Sequence, residues 1–407
     1  MKIALLHYAA PPIIGGVEGV IAHHARLMAD DGHTVRIIAG RGAQFDGRIA
    51  YSIVPEVDSR HPEVLALKAQ LDAGRIPPGF EPYAERIAAR LQPLVSDTDV
   101  AIAHNVCSLN KNLALTVALH RLSENLRGIR FILWHHDLAW TTQRYRSELH
   151  DGYPWDLLRT DWPWASQVVV SAQRRSELAA LLGVTTERIQ VIPNGLDARE
   201  FLKLDDETER LRERLRLSLA APLVLLPARI TPRKNIELAL RVLYVLRQEF
   251  TNAALVVTGP LGPHNPANQQ YFERLLALRS QLRLDGAAHF LAEVIDHPIP
   301  DNVIVDLYKL ADLLVLPSRE EGFGIPILEA GLAGVPVFCS DIAAIHELGG
   351  PDVTYFSPED EPARIAGQIG AMLKSSSVYA LRKRVLRDFT WRQIYRNRIG
   401  PLLMKAE

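Results

Sequence analysis

A chain of 407 residues is long for a single hydrophobic core and suits two domains. Its 48% hydrophobic and 23% charged composition is ordinary for a soluble globular protein, and a net charge of −1 gives no support for nucleic-acid binding. No apolar run approaches the length that crosses a bilayer, and the apolar start, Ile3-Ala4-Leu5-Leu6, is too short for a secretory signal. The two cysteines, Cys107 and Cys339, lie far apart beside apolar stretches and read as reduced core residues of a cytosolic protein rather than a disulfide pair.

Residues 3–7 have the continuous apolar pattern of a buried strand. The loop 8–16 carries Pro11-Pro12 and Gly15-Gly16. A helical pattern follows, with apolar Val17, Val20, Ile21, Leu27 and Met28, and Asp31-Gly32 closes it before a strand at 34–39. That is a βαβ unit, which implies a parallel sheet with right-handed crossovers. Residues 55–95, with Pro77-Pro78-Gly79, fit the alternation poorly and read as helices with an irregular insertion. The alternation resumes with a strand at 100–103, a helix at 113–122 and a strand at 131–134. It continues with 168–170, a helix through 182, and 190–192. The charge-rich stretch 197–219 reads as a boundary. Beyond it lie a strand at 223–226, a helix near 234–250, and strands at 254–258, 289–291, 313–316 and 335–338. Residues 391–405 read as an amphipathic helix. The pattern predicts two doubly wound, Rossmann-like α/β domains, 1–198 and 199–388, and a terminal segment 389–407.

Ligands of open α/β sheets bind beyond the carboxyl ends of the strands. Gly15-Gly16 lies there, between the first strand and first helix, and suits a phosphate or a developing negative charge, or is a plain turn. It is not the G-x-G-x-x-G fingerprint. Arg229 and Lys234 follow the strand 223–226 beside Pro232, as a pyrophosphate site or an exposed basic helix start, with Arg233 read as solvated. His135-His136 ends the strand 131–134, and no third and fourth metal ligands stand at suitable spacing, so no metal site is assigned. His104-Asn105 is at the ligand end of its strand and is expected to face the acceptor. Asp97-Thr98-Asp99 is at the amino end of the same strand and is rejected as a site. Residues 140–164, with Trp140, Tyr145, Tyr153, Trp155, Trp162 and Trp164 among Arg144, Arg146 and Arg159, suit sugar stacking and an anionic acceptor, or ordinary loop packing. Asn194-Gly195 favours a tight turn and reads as a hinge.

The most telling run is Pro317-Ser318-Arg319-Glu320-Glu321-Gly322-Phe323-Gly324-Ile325-Pro326-Ile327-Leu328-Glu329. It parses as a glycine loop after a strand, then a helix begun at a proline. The loop offers backbone N–H groups and a helix N-terminus, with Glu321 on the loop and Glu329 about one turn inside the helix. The spacing of two glutamates with seven residues between them, in this context, resembles the signature of the retaining GT-B glycosyltransferases of family 4, the group 1 transferases. The resemblance covers nearly the whole chain and is patchy over 55–95 and 140–164.

The resemblance implies a GT-B fold and a metal-independent, retaining hexosyl transfer from a UDP- or GDP-sugar, bound in an interdomain cleft, to a hydroxyl acceptor. It places Gly15 and Gly16 against the donor phosphates and acceptor, Arg229 and Lys234 on the diphosphate, and His136, rather than His135, near the reacting centre. Glu321 would contact the donor sugar and Glu329 the ribose hydroxyls. The loop residues Gly322, Phe323, Gly324 and Ile325 would bind sugar hydroxyls or phosphate through backbone N–H groups. It also implies a terminal helix crossing back onto the first domain. Transfer would be front-face, with a double displacement through Glu321 left open. No cofactor beyond the donor is expected. Peripheral contact with the inner membrane face and the oligomeric state stay open. The chain departs from the family pattern at Ala292, where a glycine is usual, and at Gly259-Pro260-Leu261-Gly262. The rival functions are a phosphorylase or sugar-phosphate synthase on the same fold, and a non-catalytic nucleotide-sugar-binding protein.

Overall fold

The computed structural model describes residues 1–261 and 266–404, so the expectations at Gly262 and Lys405 lie outside the described residues. The chain divides into two units, Met1–Leu196 together with the segment from Asp388 onward, and Asp197–Arg387.

The first unit is built on a parallel sheet of β1 (Lys2–Ala9), β2 (Thr34–Arg41), β3 (Ile49–Ile53), β4 (Val100–His104), β5 (Arg130–His135), β6 (Ala165–Val169) and β7 (Ile189–Val191). The strand order is β3-β2-β1-β4-β5-β6-β7. Strand side chains alternate between faces, and each face has its own core. Ile3 and Leu5 join Ile21, Ala25 and Met28 of the helix Gly16–Asp30 on one face. Ala4 and Leu6 join Ile87 and Leu91 of the helix Phe80–Val95 and Leu115 of the helix Leu113–Asn125 on the other. Both faces are thus covered, which is why these strands read as unbroken apolar runs. The edge strand β3 has no such run, and periodicity missed it.

The terminal segment packs on the first of those faces through Trp391, Ile394, Tyr395, Ile399, Leu402 and Leu403. It is not the single continuous helix expected. The helix Trp391–Ile394 opens into a π turn, Tyr395–Ile399, before the helix Gly400–Met404. Pro401 has no N–H to offer the carbonyl four residues back, which favours a widened turn at that point. Thr390 bridges Leu196, and a Cβ at Gly195 would meet the Trp391 ring at 2.8 Å. Asn194-Gly195, expected to be a hinge, therefore lies beside the terminal segment.

The second unit has β8 (Leu223–Leu226), β9 (Ala254–Val257), β10 (Ala288–Phe290), β11 (Leu313–Leu316), β12 (Val337–Ser340) and β13 (Thr354–Phe356). All its pairings are parallel, in the order β10-β9-β8-β11-β12-β13. The same alternation holds: Val224 and Leu226 face one core, Leu223 and Leu225 the other. The charged stretch taken for a boundary contains the helices Ala198–Leu202 and Asp206–Arg214, whose Leu211 packs in the second core. Among the described residues no helix is long and apolar enough to cross a membrane. Sheet order reverses between β1 and β4 and again between β8 and β11, and loops leaving adjacent strands in opposite directions open a crevice there.

Candidate active site

In the second unit the two reversing strands bring their exits together. β8 runs through Ala228 and Arg229 into one 3-10 turn, Pro232–Lys234. The α-helix expected to begin there starts only at Ile236, because Asn235 takes a left-handed conformation at φ 49°. β11 runs through Ser318 to Glu321 and into the helix Ile325–Ala333. Two hydrogen bonds tie the exits: Arg319 N to Arg233 O at 2.8 Å, and Arg233 Nη1 to Glu320 O at 3.1 Å.

Between these loops Lys234 Nζ and Glu321 Oε1 form a close ion pair, both side chains being about 10% exposed (11% and 9%). Ser318 Oγ donates to the same oxygen at 2.7 Å, and Arg233 Nη1 lies 3.8 Å from Oε2. Arg233, read as solvated, is exposed (47%) and still reaches the edge of the carboxylate. Lys234 and Glu321, expected to serve different parts of one ligand, hold each other. Arg229 is exposed at the same exit. Gly259 presses against it, and a Cβ there would sit 2.0 Å from Ala228 O, so no other residue fits.

Gly324 caps the helix Ile325–Ala333 at φ 103°, a left-handed value that favours glycine, and no side chain satisfies the first N–H groups. Pro326 occupies the first turn, as expected. Gly322 and Phe323 are exposed before it, as is Ile325. Glu329 is exposed one turn in, and its Oε2 accepts a hydrogen bond from the Tyr308 hydroxyl at 2.6 Å. Burial and this carboxylate push the Tyr308 phenol well above its ordinary value.

In the first unit the exits of β1, β4 and β5 form a second cluster. His104 and Asn105, expected to face an acceptor, are buried instead. Asn105 sits at φ 60°, and its Oδ1 accepts from the backbone N–H groups of His136 and Asp137, each at 3.0 Å. It thereby fixes the turn that carries His136. His104 Nδ1 lies 3.4 Å from His136 Nε2, and His7 Nδ1 donates to His104 O at 2.7 Å. His24 is enclosed by the rings of His104, Trp134 and Trp391, and neither of its ring nitrogens has a hydrogen-bond partner among the described residues.

Burial pushes His7 and His24 down to about 3 and His135 and His136 down to about 4, and holds His104 well below its usual value. All five rings are neutral at pH 7. Gly15 and Gly16 open the helix Gly16–Asp30 without a side-chain cap, and the Glu18 carboxylate folds over Gly15. The helix start expected to meet a phosphate thus meets its own acid there. Asp97 and Asp99 bind Lys2 at the amino end of the sheet, away from this cluster.

Much of the aromatic stretch 140–164 packs, while Tyr153 stays exposed and donates from its hydroxyl to Glu81 at 2.5 Å. Trp155 and Trp162 are buried. Arg159 lies 3.9 Å over Trp140 and is paired with Asp151 and Asp156, and Arg127 covers Trp164. Arg144 lies over Tyr145. Among the described residues no group of three or more His, Cys, Asp or Glu side chains is placed to hold a metal ion.

Sequence reasoning missed Ser318, Arg233, Tyr308 and Asn105 as partners of the expected residues. Ser318 could have been suspected from its place three residues before Glu321. Tyr308 lies 21 residues before Glu329, on another element, with no motif around it.

Two family models match the chain: Glycosyltransferase Family 4 over residues 14–200 and Glycosyl transferases group 1 over residues 207–386. The chain is 29% identical to the mannosylglucosylglycerate synthase of Petrotoga mobilis over 63% of its own length and 62% of that protein's. It is 29% identical to the D-inositol 3-phosphate glycosyltransferase of Acidothermus cellulolyticus over 48% of its length and 43% of the relative's. The alignments to these two thus span less than two thirds of each relative. It is 24% identical to the MMP alpha-(1->4)-mannosyltransferase of Mycolicibacterium hassiacum over 97% of its length and 96% of the relative's.

Proposed function

Because the chain belongs to the group 1 glycosyl transferases, we propose that it moves a hexosyl group from a nucleoside diphosphate sugar to an acceptor hydroxyl, with retention and without a metal. The observation that carries this is the joining of the β8 and β11 exits, which sets Lys234, Arg233 and Glu321 in one cluster. The diphosphate carries charge that grows as the glycosidic bond breaks, and preorganised cations stabilise that growth. Lys234 and Arg229 supply them. Lys234 exchanges Glu321 for phosphate oxygens when the donor binds, which frees the Glu321 carboxylate to accept from sugar hydroxyls. Glu329 takes the ribose hydroxyls.

With Lys234 moved to the phosphate, the Glu321 carboxylate still accepts from Ser318, faces Arg233 and meets the sugar hydroxyls, and a carboxylate so engaged is a poor nucleophile. That favours front-face transfer, in which the departing phosphate takes the acceptor's proton. His136 is neutral, because burial lowers its pKa to about 4, and in this reading it stands near the reacting centre. Two of the relatives are named for mannosyl products, so a mannosyl donor is the first to try, and glycerate and inositol 3-phosphate names make a small acidic polyol the first acceptor.

Thermal melting with UDP, GDP and ADP, with and without magnesium, tests the donor half. One nucleotide should stabilise the chain by about 2.7 kcal/mol at a hundredfold excess over Kd and so raise the melting temperature, equally in both conditions. Glu321→Ala should lose at least ~100-fold in donor turnover, read below its own melting transition, since it also leaves Lys234 without its partner. Full turnover in Glu321→Ala, or no shift with any nucleotide, would overturn the assignment.

A further inference from the structure

Tyr308 belongs to no motif and touches no expected phosphate group, yet it is placed on the donor side of the second unit. Its ring is 3% exposed on the helix Asp301–Leu310 and packs in the core that holds Leu307, Leu310, Ile327 and Ala330. The hydroxyl's position is therefore set by the core. A buried tyrosine hydroxyl needs a polar partner, and this one donates to Glu329 Oε2 at 2.6 Å. Glu329 itself is exposed on the neighbouring helix Ile325–Ala333. Without a partner, a glutamate so placed samples several rotamers, and a ligand must order it on binding. With Oε2 held, the second oxygen, Oε1, remains an acceptor in a defined position.

We propose that Tyr308 is a positioning residue: it orients the Glu329 carboxylate to receive the ribose hydroxyls of the donor nucleotide, and so sets the preference for ribonucleotides. The inference rests on Glu329 being the ribose ligand.

The test is calorimetric binding of UDP, GDP and ADP and of their 2′-deoxy counterparts to the full chain. The parent, Tyr308→Phe, Glu329→Gln and Tyr308→Phe/Glu329→Gln are compared. The parent should prefer the ribonucleotide by about tenfold, the value of one charge-assisted hydrogen bond. Tyr308→Phe should reduce that preference by about two- to fivefold with the 2′-deoxy affinity little changed. Glu329→Gln should abolish most of the preference, and the double variant should be no worse than Glu329→Gln alone. Glu329→Asp, which keeps the charge but retracts it from Tyr308, should mimic Tyr308→Phe and covers the case in which Tyr308→Phe folds poorly.

Full preference in Tyr308→Phe and Glu329→Asp, with loss in Glu329→Gln, would overturn the positioning role alone. Equal loss of ribo and deoxy affinity in Tyr308→Phe would reduce Tyr308 to a structural role and overturn it too. No preference in the parent, or an unchanged one in Glu329→Gln, would overturn the ribose assignment and the inference with it.

Discussion

Asn105 is a polar residue whose place in the fold inverts its expected role. At the end of β4 it was expected to face a ligand, and it instead spends its side-chain oxygen on two backbone N–H groups of the next strand's exit. Asn105→Ala leaves both donors unpaired and keeps a side chain at φ 60°. It should cost about 2 kcal/mol or more in urea unfolding and lower turnover beyond what the stability loss explains. The buried histidines carry a pH consequence. In the unfolded chain they take up protons near 6.5, but His24 folded does so only near 3. Between those values the unfolded state binds more protons, so stability is complete above about pH 6.5 and falls as the pH drops towards 3. Each such ring should contribute a loss of about 2 kcal/mol by pH 5. His24→Phe should flatten the measured slope of unfolding free energy against pH by up to about one proton, and an unchanged slope would mean that His24 is not the group that titrates.

At the scale of elements, the decisive event is that β8 and β11 are neighbours. Their exits carry Lys234 and Glu321, 87 residues apart in the chain, to a common ion pair. Removing one partner of a largely buried pair strands the other charge. Lys234→Met should therefore destabilise the second unit by about 3 kcal/mol, read as a fall in its denaturation midpoint. Glu321→Gln should cost less, since the amide still accepts from Ser318. Gly324→Ala tests the helix cap: a side chain at φ 103° is strained, so it should lose about 1 kcal/mol and weaken nucleotide binding as the loop shifts.

At the scale of the whole molecule, the chain returns to its starting unit. Trp391, Ile394, Ile399, Leu402 and Leu403 are all within 5% of full burial beside β1 and the helix Gly16–Asp30. Their burial amounts to on the order of 10 kcal/mol of apolar transfer, comparable with the whole stability of a domain. Removing the chain after Arg387 should therefore unfold the first unit. Hydrogen exchange should show lost protection in β1, β4 and β5, and retained protection in β8 to β12. Protection retained in both would mean that the terminal segment is dispensable.

The sequence by itself determined the parallel α/β class, the placing of most central strands, and the type of residue at each strand exit. It could do so because a strand covered on both faces must be apolar throughout, and because glycine and proline mark the loops that follow. Edge strands such as β3 and β13, short and only partly covered, carried no such pattern. Pairing was decided by tertiary structure alone. Which cation meets Glu321, which hydroxyl holds Glu329, and whether His104 faces a ligand or the core all depend on strand order and on helices crossing from distant segments. No local spacing records those neighbours, since the partners are brought together by burial of faces that are nearly interchangeable in sequence.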